Sequence, residues 1–320
     1  MAAWVTGPVA LGCGIFGGIG GSVELVGRGL DVEASLATLD EAAALGITML
    51  DTAERYAAGA SETIIGRWLS ERDPEVVAPV RITTKVAPPG IGGVDAPFDA
   101  AFIEPMVAGS LERLGVDRVE WLLTHAPDED TPIEATLEAL ESIRASGRCA
   151  HVGACNLTGG QLESALSAAD RLGVTGYEFV QNGYSLLQPG EHADVRSLCA
   201  DRGLAFVAYS PLGGGLLTGK YERGVPPAPG SRLAMRPDGL DELLVPAVFD
   251  AIDELAARAA DVGVPTGALA LAWLAQRDDV AALITGPSRT APHLVLAARA
   301  LELDETVAVS LAEVFSASAD

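Results

Sequence analysis

Lysine is nearly absent from this sequence: Lys85 and Lys220 are the only two in 320 residues, and 21 Lys and Arg stand against 44 Asp and Glu, a formal net charge of −23. A chain this acidic is not expected to bind nucleic acid through its phosphates or to dock on an anionic membrane surface. An anionic cofactor has to be held by local positive groups that overcome the general field. Long apolar runs are missing too. Although 49% of the residues are hydrophobic, no uninterrupted stretch reaches the roughly 18 residues that span a bilayer. Residues 1–9 lack a basic stretch followed by a sustained apolar one and a processing site, so a cytoplasmic location is expected. The four cysteines, Cys13, Cys149, Cys155 and Cys199, show no CxxC or other metal-ligand spacing. That argues against a disulfide framework and a zinc site, and predicts reduced, mostly buried thiols.

What is present is a regular alternation of short apolar runs with helical patterns, which reads as repeated βα units. Strands are expected at residues 8–13, 47–50, 81–84, 119–124, 151–154, 178–181, 204–208 and 281–285. Helical patterns cover residues 31–45, 61–71, 98–114 and 131–147, and later 246–261 and 266–276. Asp31 reads as an N-cap and Gly46 as a stop. Thr131, Pro132 and Glu134 read as a capping box opening the fourth helix. A Gly/Pro-rich insertion at about 212–245 is long enough to be functional. Eight strands joined by helices favour a single (β/α)8 barrel over residues 1–320 rather than an open sheet.

The run Gly12-Cys13-Gly14-Ile15-Phe16-Gly17 matches GxGxxG. A dinucleotide-binding turn of the open-sheet kind needs a helix that starts inside the glycines, but Gly18, Gly20 and Gly21 continue the loop and the helix begins near Val32. The glycines are therefore read as a loop at the barrel mouth.

Catalytic groups in such barrels come from the C-terminal ends of strands. Asp51, Lys85 and His125 each stand at the end of an expected strand, and Tyr56 follows Asp51 by five residues. Singly, each has a bland explanation: a cap, a snorkelling lysine, a loop histidine, a packed tyrosine. Together they suit general-acid reduction of a carbonyl. A phenol with pKa near 10 is a poor proton source at neutral pH, and a cationic lysine beside it is expected to lower that value. Asp51 would keep the lysine charged, and His125 would donate to the carbonyl oxygen where negative charge develops.

The segment Gly46-Ile47-Thr48-Met49-Leu50-Asp51-Thr52-Ala53-Glu54-Arg55-Tyr56, followed by Gly59-Ala60-Ser61-Glu62, resembles the first signature of the aldo-keto reductase superfamily, and the resemblance extends over about residues 9–303. It implies that Asp51, Tyr56, Lys85 and His125 form the catalytic tetrad, with Tyr56 as proton donor. It also implies that Asn156 and Gln181 hold the nicotinamide carboxamide and that Tyr209 stacks on the ring. The run Ser210 to Tyr221, with Leu212, Gly214, Leu216 and Lys220, is similar to the pyrophosphate-binding loop, where backbone N–H groups and a lysine meet the phosphates. Gly286, Ser288 and Arg289 open the last helix and suit the 2′-phosphate of NADPH. NADPH (NADP+) is thus the expected cofactor, with NADH as the alternative. Cys155 stands where the family usually has serine, Gly183 where a glutamate is common, and His293 and Ala297 near the adenine contacts. Trp4 is expected to supply part of a cover for the barrel bottom.

A small-molecule carbonyl substrate is expected, with Phe16, Tyr56, Val86 and residues 88–98 and 217–245 lining its pocket. No cluster of basic residues announces a strongly anionic substrate. The same residues also serve an NAD(P)-dependent sugar or alcohol dehydrogenase running in reverse. A third reading is a non-catalytic cofactor-sensing subunit that resembles potassium-channel β-subunits.

Overall fold

Eight strands pair strictly in chain order. In the computed structural model, which describes residues 9–235, 243–286 and 303–318, β1 (Val9–Gly12), β2 (Met49–Asp51), β3 (Arg81–Val86) and β4 (Val119–Thr124) are followed by β5 (Cys149–Cys155), β6 (Phe179–Gly183), β7 (Ala205–Tyr209) and β8 (Ala282–Thr285). All pairs are parallel, and β8 returns to β1, where Leu11 lies beside both Leu50 and Thr285, so the sheet closes into a (β/α)8 barrel. Closure removes both sheet edges.

The strands are buried on both faces, as a parallel sheet wrapped by helices requires. Ala10, Met49, Trp121, Leu123, Phe179, Val207 and Ile284 point inward and fill the barrel. Their neighbours, such as Leu11, Leu50, Leu122 and Val180, point outward against the helices. Gly153 faces inward where no side chain fits: a Cβ there would stand 2.5 Å from the Phe179 ring.

Among the described residues the longer helices are α1 (Val32–Ala44), α2 (Ala60–Glu71), α3 (Ala100–Leu114), α4 (Ile133–Ala145), α5 (Gly159–Leu172), α6 (Ala193–Arg202), α7 (Pro246–Asp261), α8 (Thr266–Ala275) and α9 (Glu305–Ser316). Asp31 caps α1 by accepting from the Ala34 N–H at 2.8 Å. Among the described residues no helix is long and apolar enough to cross a membrane. All four cysteines are buried free thiols.

One helix start differs from the sequence reading. Thr131 makes no capping box; Pro132 is the N-cap of α4, without a side-chain cap. The Thr131 hydroxyl instead accepts from the Phe98 N–H at 2.7 Å, and the Thr136 hydroxyl donates to the Phe98 carbonyl at 2.8 Å. The buried backbone of the loop before α3 needs these partners, and that demand outweighs local capping. A capping box does form at α5, between Thr158 and Gln161. The insertion after β7 contains a tight turn at Gly213–Thr218 and a single helical turn at Arg232–Met235. Trp4, His293 and Ala297 lie outside the described residues.

Candidate active site

The strand ladders continue past the strand ends and hold the loops that carry the site. Thr52 N–H donates to the Thr83 carbonyl at 2.9 Å, Glu54 N–H to the Lys85 carbonyl at 3.2 Å, and His125 N–H to the Val86 carbonyl at 2.8 Å. Loops tied this way place side chains nearly as rigidly as the strands do. Tyr56 heads a turn in which Ala57 and Ala58 both adopt the left-handed conformation, with φ of 50° and 54°. Non-glycine residues there are strained, and the Ala57 N–H helps hold the turn by donating to the Gly20 carbonyl at 2.9 Å.

Asp51, Tyr56, Lys85 and His125 converge at the C-terminal mouth. Lys85, 1% exposed, donates from Nζ to Asp51 Oδ2 at 2.6 Å and to the Thr52 carbonyl at 2.9 Å. Its third neighbour is the Tyr56 hydroxyl at 3.4 Å. Asp51 is held from its other side, because Gln181 Nε2 donates to Oδ1 at 2.9 Å. Tyr56 and His125 meet edge to face, with ring centroids 5.4 Å apart.

The charges in this row follow from burial and pairing. Burial pulls Lys85 toward its neutral form, but Asp51 first and Tyr56 second push it further the other way, and its pKa ends above that of a free lysine. It is a stable cation. His125 is pushed down to about 3, chiefly by burial and then by Lys85 and Arg55, so the imidazole is neutral at neutral pH. Its Nδ1 is buried with no hydrogen-bond partner among the described residues. Tyr56 corrects the sequence reading. Lys85 lowers its pKa as expected, but burial outweighs the lysine and pushes the phenol up to about 12.

The arc above β5 to β7 carries the expected amides. Asn156, with φ of 62°, donates from Nδ2 to the His125 carbonyl at 2.9 Å and accepts from the Tyr209 hydroxyl at 2.7 Å. Gln181 is committed at both ends, since its Oε1 also accepts from the Cys155 thiol at 3.5 Å. Beyond Tyr209 the backbone turns through Ser210, Gly213, Gly214 and Gly215, all at positive φ. Leu212 is half-buried. Leu216 is buried in the core, so only its backbone is left to meet a ligand. Lys220 is exposed and arches over Gly215, where a Cβ would stand 2.5 Å from Nζ. Gly286 follows β8 and is exposed, whereas Ser288 and Arg289 lie outside the described residues.

One other expectation changes, and one residue is added. Phe16 lines no open pocket: it is fully buried in the packing between barrel and helices, drawn there by a bridge to Leu30. Glu54, given no role from sequence, is 7% exposed and accepts from the Ala87 N–H at 2.9 Å, joining the loops after β2 and β3. Its position in the motif was visible in the sequence, but its burial was not. Burial pushes its carboxyl up to about 7. A pKa raised on folding gives stability that is fully present below the unfolded value near 4.5 and is lost as pH rises through about 7. We expect Glu54→Gln to gain thermal stability relative to the parent between pH 5 and pH 8. An equal difference in Tm at both pH values would show that Glu54 ionises freely.

The profile of the Aldo/keto reductase family matches residues 15–314. The chain is 32% identical over 269 residues to a probable voltage-gated potassium channel subunit beta of Arabidopsis thaliana, covering 82% of this chain and 80% of that one. It is 32% identical to an uncharacterized oxidoreductase of Bacillus subtilis, covering 89% and 88%. It is 29% identical to the NADH-specific methylglyoxal reductase of Escherichia coli, covering 83% and 82%. With the closed barrel and the match along nearly its whole length, the chain belongs to the aldo/keto reductase family.

Proposed function

We propose that the protein is a cytoplasmic NAD(P)H-dependent reductase of aldehydes or ketones in which Tyr56 delivers the proton. Aldo/keto reductases act on carbonyl groups and generally use NAD(P)H. The observation that carries the reading is the row Gln181, Asp51, Lys85, Tyr56, joined by contacts of 2.9, 2.6 and 3.4 Å. A carbonyl oxygen set against Tyr56 and His125 meets two neutral donors, with the Lys85 cation behind the phenol. When bound, the nicotinamide supplies the hydride. As negative charge builds on the oxygen, the imidazole N–H orients it and the phenol gives up its proton, with Lys85 stabilising the phenolate left behind. The phenol, raised to about 12, stays protonated at neutral pH, and its proton leaves only as negative charge develops on the carbonyl oxygen with the Lys85 cation beside it.

The donor set suits a nicotinamide nucleotide. Asn156 and Gln181 would hold the carboxamide, and Tyr209 would lie on the ring. The Oε1 of Gln181 accepts from the thiol of Cys155, a weak donor that a carboxamide N–H would outcompete while Nε2 keeps Asp51. Backbone N–H groups of the turn through Ser210, Leu212, Gly214 and Leu216, with Lys220, would meet the phosphates. Gly286, Ser288 and Arg289 would take the 2′-phosphate, which supports NADPH over NADH. A panel of carbonyl compounds with each nucleotide, followed by nicotinamide absorbance, tests the activity. We expect Arg289→Ala to raise KM for NADPH about tenfold, the loss of a charge-assisted hydrogen bond, with little effect on NADH. Equal effects on both would remove Arg289 from the site.

A second reading has the Arabidopsis relative behind it, whose name is that of a channel subunit. On that reading the barrel would bind the nucleotide and signal its state to a partner protein. Absence of turnover across the panel, together with retained nucleotide affinity, would favour it.

A further inference from the structure

Arg55 stands immediately before Tyr56, in the mouth of the barrel, and among the described residues its side chain has no hydrogen bond or ion pair. It is partly buried, whereas arginines such as Arg67, Arg72, Arg113 and Arg196 are held by carboxylates. Three loops surround it. Its own loop follows β2. Its Nε lies 3.2 Å from where a Cβ of Gly21 would stand, in the loop after β1, and its Nη1 lies 3.4 Å from the corresponding point at Gly92, in the loop after β3. Glycine at both positions leaves the guanidinium uncovered. Its charge is felt at the site, since it helps keep His125 neutral. The nearest carboxylate in sequence, Glu54, is turned inward to the Ala87 N–H and does not pair with it.

The loops after β1, β2 and β3 lie across the mouth from the nucleotide arc above β5 to β7, so they face the substrate. In a chain of net charge −23, a fork of N–H donors left unpaired beside the proton donor is a ready partner for a planar anion. We propose that Arg55 binds a carboxylate carried by the substrate, so that the preferred substrates are carbonyl compounds bearing a carboxylate group. The absence of a basic cluster in the sequence does not oppose this, because one unpaired guanidinium is enough. The inference rests on the reductase reading for the position of the carbonyl.

The test compares 4-carboxybenzaldehyde with its neutral methyl ester, whose carbonyl has similar reactivity, and measures calorimetric binding of terephthalate, which cannot be reduced. In the parent protein kcat/KM should favour the carboxylate. In Arg55→Gln the ratio of the two kcat/KM values should fall about tenfold and terephthalate affinity by a similar factor, as expected for one charge-assisted contact. Arg55→Lys should recover part of both. An unchanged ratio with both aldehydes still reduced overturns the Arg55 assignment and leaves the reductase reading standing. Arg55-dependent binding of terephthalate with neither aldehyde reduced keeps the anion site and counts against the reductase reading. Absence of both turnover and terephthalate binding overturns the two together.

Discussion

Replacing Tyr56 with phenylalanine should lower kcat by about three orders of magnitude while leaving nucleotide affinity within about twofold, since a positioned general acid contributes roughly 10²–10⁴. The substitution removes one atom and one long contact, the 3.4 Å approach of Lys85 Nζ to the hydroxyl. Lys85 keeps Asp51 and the Thr52 carbonyl, so the charge network survives. The residues proposed to hold the nucleotide, Asn156, Tyr209 and the turn beyond them, follow β5 and β7, whereas Tyr56 follows β2. Single-turnover rates and a nucleotide titration separate the two effects. A kcat within threefold of the parent would show that another group delivers the proton. No other group is well suited: His125 is held neutral by burial, Lys85 and Arg55, and Lys85 is held charged by Asp51 against the pull of burial.

The raised pKa of Tyr56 shows where sequence reasoning stops. That a lysine and a carboxylate arrive beside the tyrosine follows from residues at successive strand ends, because barrel strands present those ends on one face. Whether the lysine wins over burial depends on how deeply the phenol is packed. Burial is set by residues far apart in the chain, such as Gly14 and His125 beside the ring, and leaves no local mark. The eight strands were legible for a similar reason: near-continuous apolar runs bounded by turns identify them, with errors of a residue or two at the ends. Thr131 was misread because its hydroxyl serves Phe98, 33 residues away, and a capping pattern cannot reveal a distant competitor. Phe16 was misread because a loop position suggests exposure, whereas its bridge to Leu30 folds the ring inward. Gln181 was legible as an amide near the nicotinamide but not as a support for Asp51, a contact 130 residues apart in sequence.

That support shapes the response of the buried pair to substitution. Asp51 offers one oxygen to Gln181 and the other to Lys85. Asparagine has a single oxygen, so in Asp51→Asn one of the two donors faces an NH2 group, and Lys85 is left as a buried cation without a counter-charge. Breaking a buried pair from one side costs about 3–5 kcal/mol, and we expect that range in urea unfolding for Asp51→Asn and for Lys85→Met, which strands the carboxylate instead. The double variant should lose less than the sum by about 1–3 kcal/mol, typical coupling for residues in direct contact. With no cation to satisfy, the asparagine oxygen can serve Gln181 alone. Additive losses would mean that the 2.6 Å contact does not couple the two residues in solution. All three variants should lose most of their kcat, including the double variant with its recovered stability, because Lys85→Met removes the positive charge behind Tyr56. Stability and turnover then part company, which separates the structural role of the pair from its electrostatic role at the phenol.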